Sequence, residues 1–364
     1  MNKKKVISLI GLVIVVILWG IAPVISKSLF DNNLYSPALL VAVRGLLSCI
    51  AMFVVVLITG GLKKISKSLS FFVLLFVVIS TIYVISLFLN PSNSLLIRGM
   101  IAILIMLIIS LFLSFRLKEI RKSYWICVPA GLILGAAYLL QFIGLGSTTP
   151  AKNTFLESFS CIAVPICMFI LVKEKPSIMS ALAAIACFFG SLVLCGDGWN
   201  FSTIFTSPTI GDILSALAGI FFGIDIAFTK VFAKDRDSFV YVFLQLLILT
   251  VMSFAYAILF EDNIAFSWRF PHLMVLLFLG IGCTAVCWVM RTACIKNVSA
   301  VTCAVLMPMS AVVATLTSII FSMERFSWNV VAGGLIITAS IIISGLYDVK
   351  REKKERNIAP NEQN

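Results

Sequence analysis

"YLLQFIGLGSTTPAKNTFLESFSCIAVPICMFILVKEKPS" (residues 138–177) decides the fold, because a shift of 150 lays it over "WVMRTACIKNVSAVTCAVLMPMSAVVATLTSIIFSMERFS" (288–327). In that register Tyr138 falls on Trp288, Glu174 on Glu324, Lys175 on Arg325 and Ser177 on Ser327. A second shift, of 203, sets Trp19, Gly20 and Lys27 on Phe222, Gly223 and Lys230. Internal self-similarity of this kind means a chain built from two related halves.

The composition says what the halves are made of. With 61% hydrophobic and 12% charged residues over 364 positions, and a mean hydropathy of +1.10, the chain has far more apolar surface than one soluble core could bury. Runs of about 18 or more apolar residues, the length that crosses roughly 30 Å of hydrocarbon as a helix, recur twelve times. They are 6–29, 36–60, 69–90, 95–115, 124–146, 151–172, 178–196, 211–232, 239–260, 272–294, 299–322 and 327–347. The expected class is an all-α polytopic membrane protein with about 12 transmembrane helices.

The basic residues orient these spans. With a cytoplasmic N-terminus, twenty Lys and Arg fall on the cytoplasmic side, while Lys152, Arg269 and Arg325 fall on the other. That bias follows the positive-inside tendency of short loops. It places both termini and the loop 61–68 in the cytoplasm, the turn 91–94 outside, and the protein in a cell (inner) membrane as a multi-pass chain. The net charge of +12 is then accounted for by anionic headgroups and implies no nucleic acid. A cleaved signal peptide is not expected at "MNKKKVISLIGLVIVV", since no small-x-small site follows it and eleven more spans do. In this topology the matched helices of both comparisons cross in opposite directions, the mark of an inverted repeat.

Several stretches resemble the EamA-type members of the drug/metabolite transporter (DMT) superfamily. They are "LWGIAPVISKSLF" of the first span, the Arg in the following helix, the Y-x-x-Q-F-x-G-L run, the closing "KEKPS" and "MERFS", and "GDILSALAGIFFGIDIAFTK" opening the second half. The resemblance covers roughly 6–347 and implies two inverted five-helix repeats. It implies efflux of amino acids, related metabolites or drugs by alternating access. It also places a central cavity among the family's first, third, fourth, sixth, eighth and ninth helices.

Twelve spans exceed the family's ten by two. Residues 44–67 and 98–121 align without a gap at a shift of 54, Arg44-Gly45 onto Arg98-Gly99, as if a helical pair had been added. The later copy runs straight into "SYWICVPAGLILGAAYLL" and takes the family's second-helix position by chain order, which leaves an extra hairpin at about 36–90, expected at the periphery of the transport path. The division is thus 6–196 for the first repeat with its extra pair, 211–347 for the second, and 348–364 for a basic, polar cytoplasmic tail.

Counted through the extra pair, the cavity helices carry Trp19, Tyr138, Gln141, Asn153, Glu157, Asp225 and Trp288 as candidate substrate-binding residues. Aromatic walls with a few orienting polar groups suit a small molecule, although Trp19 and Trp288 also read as packing or lipid-facing residues. Glu157 and Asp225 are the acids inside spans and are candidates for proton coupling or for structural pairing. Arg44 lies about 12 Å below the outer edge of its span at 1.5 Å per residue. It can snorkel, contact substrate, or form an ion pair, for which Glu157 is the acid at comparable depth; a guanidinium at that depth is costly without such a partner. Arg291 and Lys230 near cytoplasmic ends read as snorkelling. Pro165 and Pro308 interrupt their spans, and since Pro308 falls on Ser158, the first repeat's kink is expected to move toward Pro165.

Ten cysteines within spans and a single histidine, His272, offer neither a disulfide framework nor a metal site; buried thiols serve as small apolar groups. No cofactor is expected. The partners are a small-molecule substrate and the lipid bilayer, with a homodimer left open. An enzyme is not expected: an acyl or glycosyl transferase would want a catalytic histidine or an acid-rich loop, and a scaffold or sensor would want an appended soluble domain. A major-facilitator arrangement would repeat near half the chain length, unlike the shift of 150.

Overall fold

A computed structural model describes residues 3–61, 124–173, 177–195, 209–261, 265–267 and 269–358. These residues form α1 (Lys3–Asp31), α2 (Pro37–Ile58), α3 (Tyr124–Gly146), α4 (Pro150–Val172), α5 (Ile178–Cys195), α6 (Ile210–Phe232), α7 (Ser238–Phe260), α8 (Phe270–Ile295), α9 (Ala300–Ile320) and α10 (Trp328–Ile358). Eight are long and apolar enough to cross a membrane, and α5 and α10 carry shorter apolar stretches, Ala181–Leu194 and Trp328–Ser344. The expected spans 69–90 and 95–115, with Arg98, lie outside the described residues.

The helix starts follow from local chemistry. Thr149 accepts from Lys152 N at the head of α4, with Pro150 in the first turn, and Thr209 and Asp212 close a capping box on α6. At α2 the Ser36 side chain caps nothing within its own helix. Instead Glu261, at the end of α7, accepts from Ser36 Oγ at 2.6 Å, Ala38 N at 2.7 Å and Leu39 N at 3.2 Å, so a neighbour satisfies the orphan donors of the first turn. At the other end of the chain, α10 continues beyond the expected limit of 347 to Ile358. Its Lys, Arg and Glu are strong helix formers.

Packing follows a regular scheme. α6 lies against α3 and α4, α1 against α8 and α9, α7 against α2 and α3, α2 against α7 and α8, and α5 against α10. Exchanging the first five helices with the last five leaves this set unchanged. α2 contributes to the inner wall of the bundle, unlike the peripheral position expected for that part of 36–90, whose remainder lies outside the described residues: Arg44 is 2% exposed. The reason is Gly45, where a Cβ would stand 2.6 Å from Thr250 Oγ1 and 3.0 Å from Leu249 Cδ2. Without a side chain there, α2 closes directly on α7 and turns Arg44 inward.

Two helices are broken in register. α4 is α-helical over Pro150–Leu156, a 3-10 turn over Glu157–Phe159, and α-helical again over Ser160–Val172. α9 runs Ala300–Leu306, breaks at Met307 and Pro308, and resumes over Met309–Ile320. Glu157 and Met307 are 150 positions apart, so the first repeat keeps its break at Ser158 rather than moving it to Pro165, which sits inside the continuous Ser160–Val172 helix. α6 approaches that break closely: a Cβ on Gly219 would lie 2.6 Å from Leu156 O and 2.8 Å from Glu157 Cα. A third irregularity is the π-helical stretch Phe278–Val286 in α8, where Thr284 Oγ1 bonds Leu279 O, five residues back, at 2.8 Å.

Candidate functional site

A cavity lies where both helix breaks meet α1, α2, α3, α6 and α8. Its apolar wall is aromatic. The rings of Trp19 and Trp288 stand 4.9 Å apart, those of Tyr138 and Trp288 5.8 Å, and Phe222 stacks on Trp288 at 23°. Hydrogen bonds fix both indoles: Trp19 Nε1 donates to Cys283 O at 2.9 Å, and Trp288 Nε1 to the Tyr138 hydroxyl at 2.5 Å. Trp288 is 1% exposed, so these rings face inward rather than toward lipid.

The polar groups come from the irregular backbone. The 3-10 turn of α4 presents Glu157, whose Oε1 accepts from Gln141 Nε2 at 2.5 Å, and Ser158 beside it. From α2, Arg44 Nε donates to Thr284 Oγ1 at 3.0 Å, and its guanidinium lies 4.8 Å from the ring centre of Phe142 and 5.3 Å from that of Tyr138. The expected Arg44–Glu157 ion pair is absent. Glu157 is turned to the amide of Gln141, while Thr284 and two ring faces hold the guanidinium, so the two charges line one cavity without touching. Burial also excludes snorkelling for Arg44.

Asp225 and Arg291 likewise differ from expectation. Arg291 is 1% exposed and does not snorkel; its Nη1 meets Asp225 Oδ2 at 2.6 Å, and its guanidinium lies 4.6 Å over the Trp288 ring. Gln245 Nε2 completes the shell of Asp225 at 3.0 Å. Arg291 borders the cavity, and Asp225 stands behind it. Lys230 does not snorkel either: its ammonium donates to Ile295 O at 2.9 Å and Val298 O at 2.6 Å, capping the end of α8. Asn153, 0% exposed, donates to Gln141 O at 3.1 Å and Ser215 Oγ at 2.8 Å. It ties α3, α4 and α6 together behind the wall.

Of the residues expected at the site, Trp19, Tyr138, Gln141, Glu157, Trp288 and Arg44 line the cavity, whereas Asn153 and Asp225 do not. Phe142 and Thr284 escaped the sequence reading. Phe142 had a signal, its four-residue spacing from Tyr138 on one helix face. Thr284, inside "GIGCTAVCW", had none.

One end of the bundle is tied across the helices that frame the cavity. Lys152 Nζ pairs with Asp212 Oδ2 at 2.7 Å, and Thr148 Oγ1 donates to Asp212 Oδ1 at 2.7 Å. In the turn after α9, half-buried Glu324 accepts from Ala151 N at 3.4 Å. Burial pushes its carboxyl above the ordinary carboxylate value, against the opposing pull of hydrogen bonds from Thr149 and Ala151.

The chain matches the EamA-like transporter family over residues 84–196 and 209–346. It is 26% identical over 252 residues to the uncharacterized transporter YvbV of Bacillus subtilis (strain 168), covering 68% of this chain and 80% of that protein. A solved crystal structure of another protein superposes with a TM-score of 0.58 at 13% identity, covering 91% of this chain and 98% of that one; at that identity the likeness concerns the fold alone. Trp19 and Arg44 precede the matched stretches, although they supply part of the cavity wall. With both halves of the bundle matched, the chain belongs to the EamA-like transporter family.

Proposed function

We propose that the protein is a secondary transporter that exports a small metabolite, such as an amino acid, a related metabolite or a drug, across the cytoplasmic membrane by alternating access. The observation that carries this reading is the convergence of two helix breaks, 150 residues apart, on one aromatic-walled cavity. Discontinuous helices at a repeat interface free backbone groups for a ligand where a continuous helix would offer none. The packing scheme, unchanged when the first and last five helices are exchanged, supports an inverted repeat. On that reading α2 serves as the second helix of the first repeat opposite α7. The distribution of Lys and Arg supports cytoplasmic termini.

A membrane-embedded enzyme has less support. His272 is bonded to Ser267 Oγ at 2.6 Å near the start of α8 and is not among the cavity residues.

The test is a screen of cells with and without the protein across amino acids, metabolites and toxic analogues, following efflux of the loaded compound. Tyr138→Ala and Trp288→Ala, checked for normal membrane insertion, should abolish the difference. Equal efflux from both cell lines for every compound, or full activity in both variants, would overturn the proposal.

A further inference from the structure

Of the two guanidiniums on the cavity wall, Arg291 is neutralised by Asp225, whereas Arg44 has no carboxylate within ion-pair distance among the described residues. It is nevertheless 2% exposed. A buried guanidinium persists only where something compensates its charge. What compensates Arg44 is incomplete. Phe142 and Tyr138 cover its faces and Thr284 takes Nε, but Nη1 has no hydrogen-bond partner. Ser158 Oγ, also buried and lining the cavity, is likewise without one. The site is thus short of acceptors. Held by its faces and by Nε, the guanidinium retains an unfilled edge, the part that binds a planar or tetrahedral oxyanion by two parallel hydrogen bonds.

We infer that Arg44 anchors the transported molecule by an oxyanion, a carboxylate or a phosphate-type group, with the apolar body of that molecule against Trp19, Tyr138 and Trp288. The inference rests on the transporter reading and narrows its substrate class. Glu157 on the same cavity is turned to Gln141, which leaves Arg44, among the described residues, as the cationic cavity contact not already matched by an acid.

The test uses the full chain purified in lipid nanodiscs, with indole fluorescence of the cavity tryptophans as readout. The probes are phenylacetate, the neutral isostere phenylacetamide, phenylphosphonate, inorganic phosphate and phenethylamine. Phenylacetate or phenylphosphonate should bind at least about ten-fold more tightly than the amide, since a site built for a charged hydrogen-bonding group rejects the analogue lacking it. The better of the two identifies the oxyanion, and inorganic phosphate alone tests whether the apolar body is required. Arg44→Gln should erase the preference for acid over amide, and Arg44→Lys should keep part of it.

Equal binding of acid and amide by the natural protein overturns the inference, whether or not the variants fold. So does an acid preference that survives in Arg44→Gln, tighter binding of phenethylamine than of either acid, or no saturable oxyanion binding at all. A lower melting temperature with unchanged preference would reduce Arg44 to a structural prop. The two readings fail separately: oxyanion binding without transport sinks the transporter proposal, and undiminished transport by Arg44→Gln sinks the anchor.

Discussion

Asp225 and Arg291 meet at 2.6 Å with side chains 0% and 1% exposed, and this pair, Arg291 on the cavity wall and Asp225 behind it, holds α6 to α8. Removing one member strands the other charge in the bundle, so Arg291→Met or Asp225→Asn should each cost about 3–5 kcal/mol, with part of the loss recovered in the double variant. Thermal and chemical unfolding in detergent measures this. Strictly additive losses would show that the pair is not coupled.

Glu261 should act as a helix cap supplied by a neighbouring helix. Its carboxylate serves Ser36, Ala38 and Leu39, so Glu261→Ala should destabilise by about 1–3 kcal/mol. Hydrogen exchange should accelerate in the first turn of α2 before it does elsewhere. Unchanged protection of residues 38 and 39 would refute the capping role.

Glu324 should give the stability a pH dependence. Its folded-state carboxyl is held above the ordinary carboxylate value of 4.5, so the folded state binds the proton more tightly than the unfolded one. The contribution is therefore full below that value and is lost as pH rises through the folded-state value. Melting curves of the natural protein and of Glu324→Gln should diverge as pH rises from 4 toward neutrality, with the variant gaining relative stability. Parallel curves across the range would remove the assignment.

Tyr138→Phe should separate transport from folding. It deletes the acceptor of the Trp288 indole N–H while preserving the ring contacts with Phe142, Phe222 and Trp288. Stability should fall by about 1 kcal/mol, and transport by about ten-fold as Trp288 loses its fixed orientation. Full transport by this variant would mean that the indole needs no positioning.

The class, the family and most of the described spans are legible because each depends on apolar run length or on matched residues. The repeat register located the helix break: Ser158 opposite Pro308 marked it, and attention to Pro165 misled, since one proline removes one backbone bond and a helix can run through it. The ion pair expected between Arg44 and Glu157 as one alternative does not form, for a geometric reason. Rise along the axis gives depth but not rotation, and it was rotation that turned the guanidinium toward Thr284, Phe142 and Tyr138. A threonine with two ring faces does not look like a counterion in a sequence. α2 was placed outside because Arg44-Gly45 and Arg98-Gly99 read alike. What distinguishes Gly45 is the helix it meets, Thr250 on α7, more than two hundred residues away.

The π-helical stretch of α8 has a mechanical consequence. It separates the half of the helix that begins near His272 from the half bearing Trp288 and Arg291. Successive residues of an α-helix are about 100° apart around the axis, and a π-turn closes a ring one residue longer. If one such ring tightened to α geometry, the following half would swivel by about that angle, sweeping an indole and a guanidinium out of the cavity wall while the preceding half stayed fixed. The π geometry, with Thr284, the hydroxyl that holds Arg44, inside it, therefore sets the angle at which Trp288 and Arg291 meet the cavity.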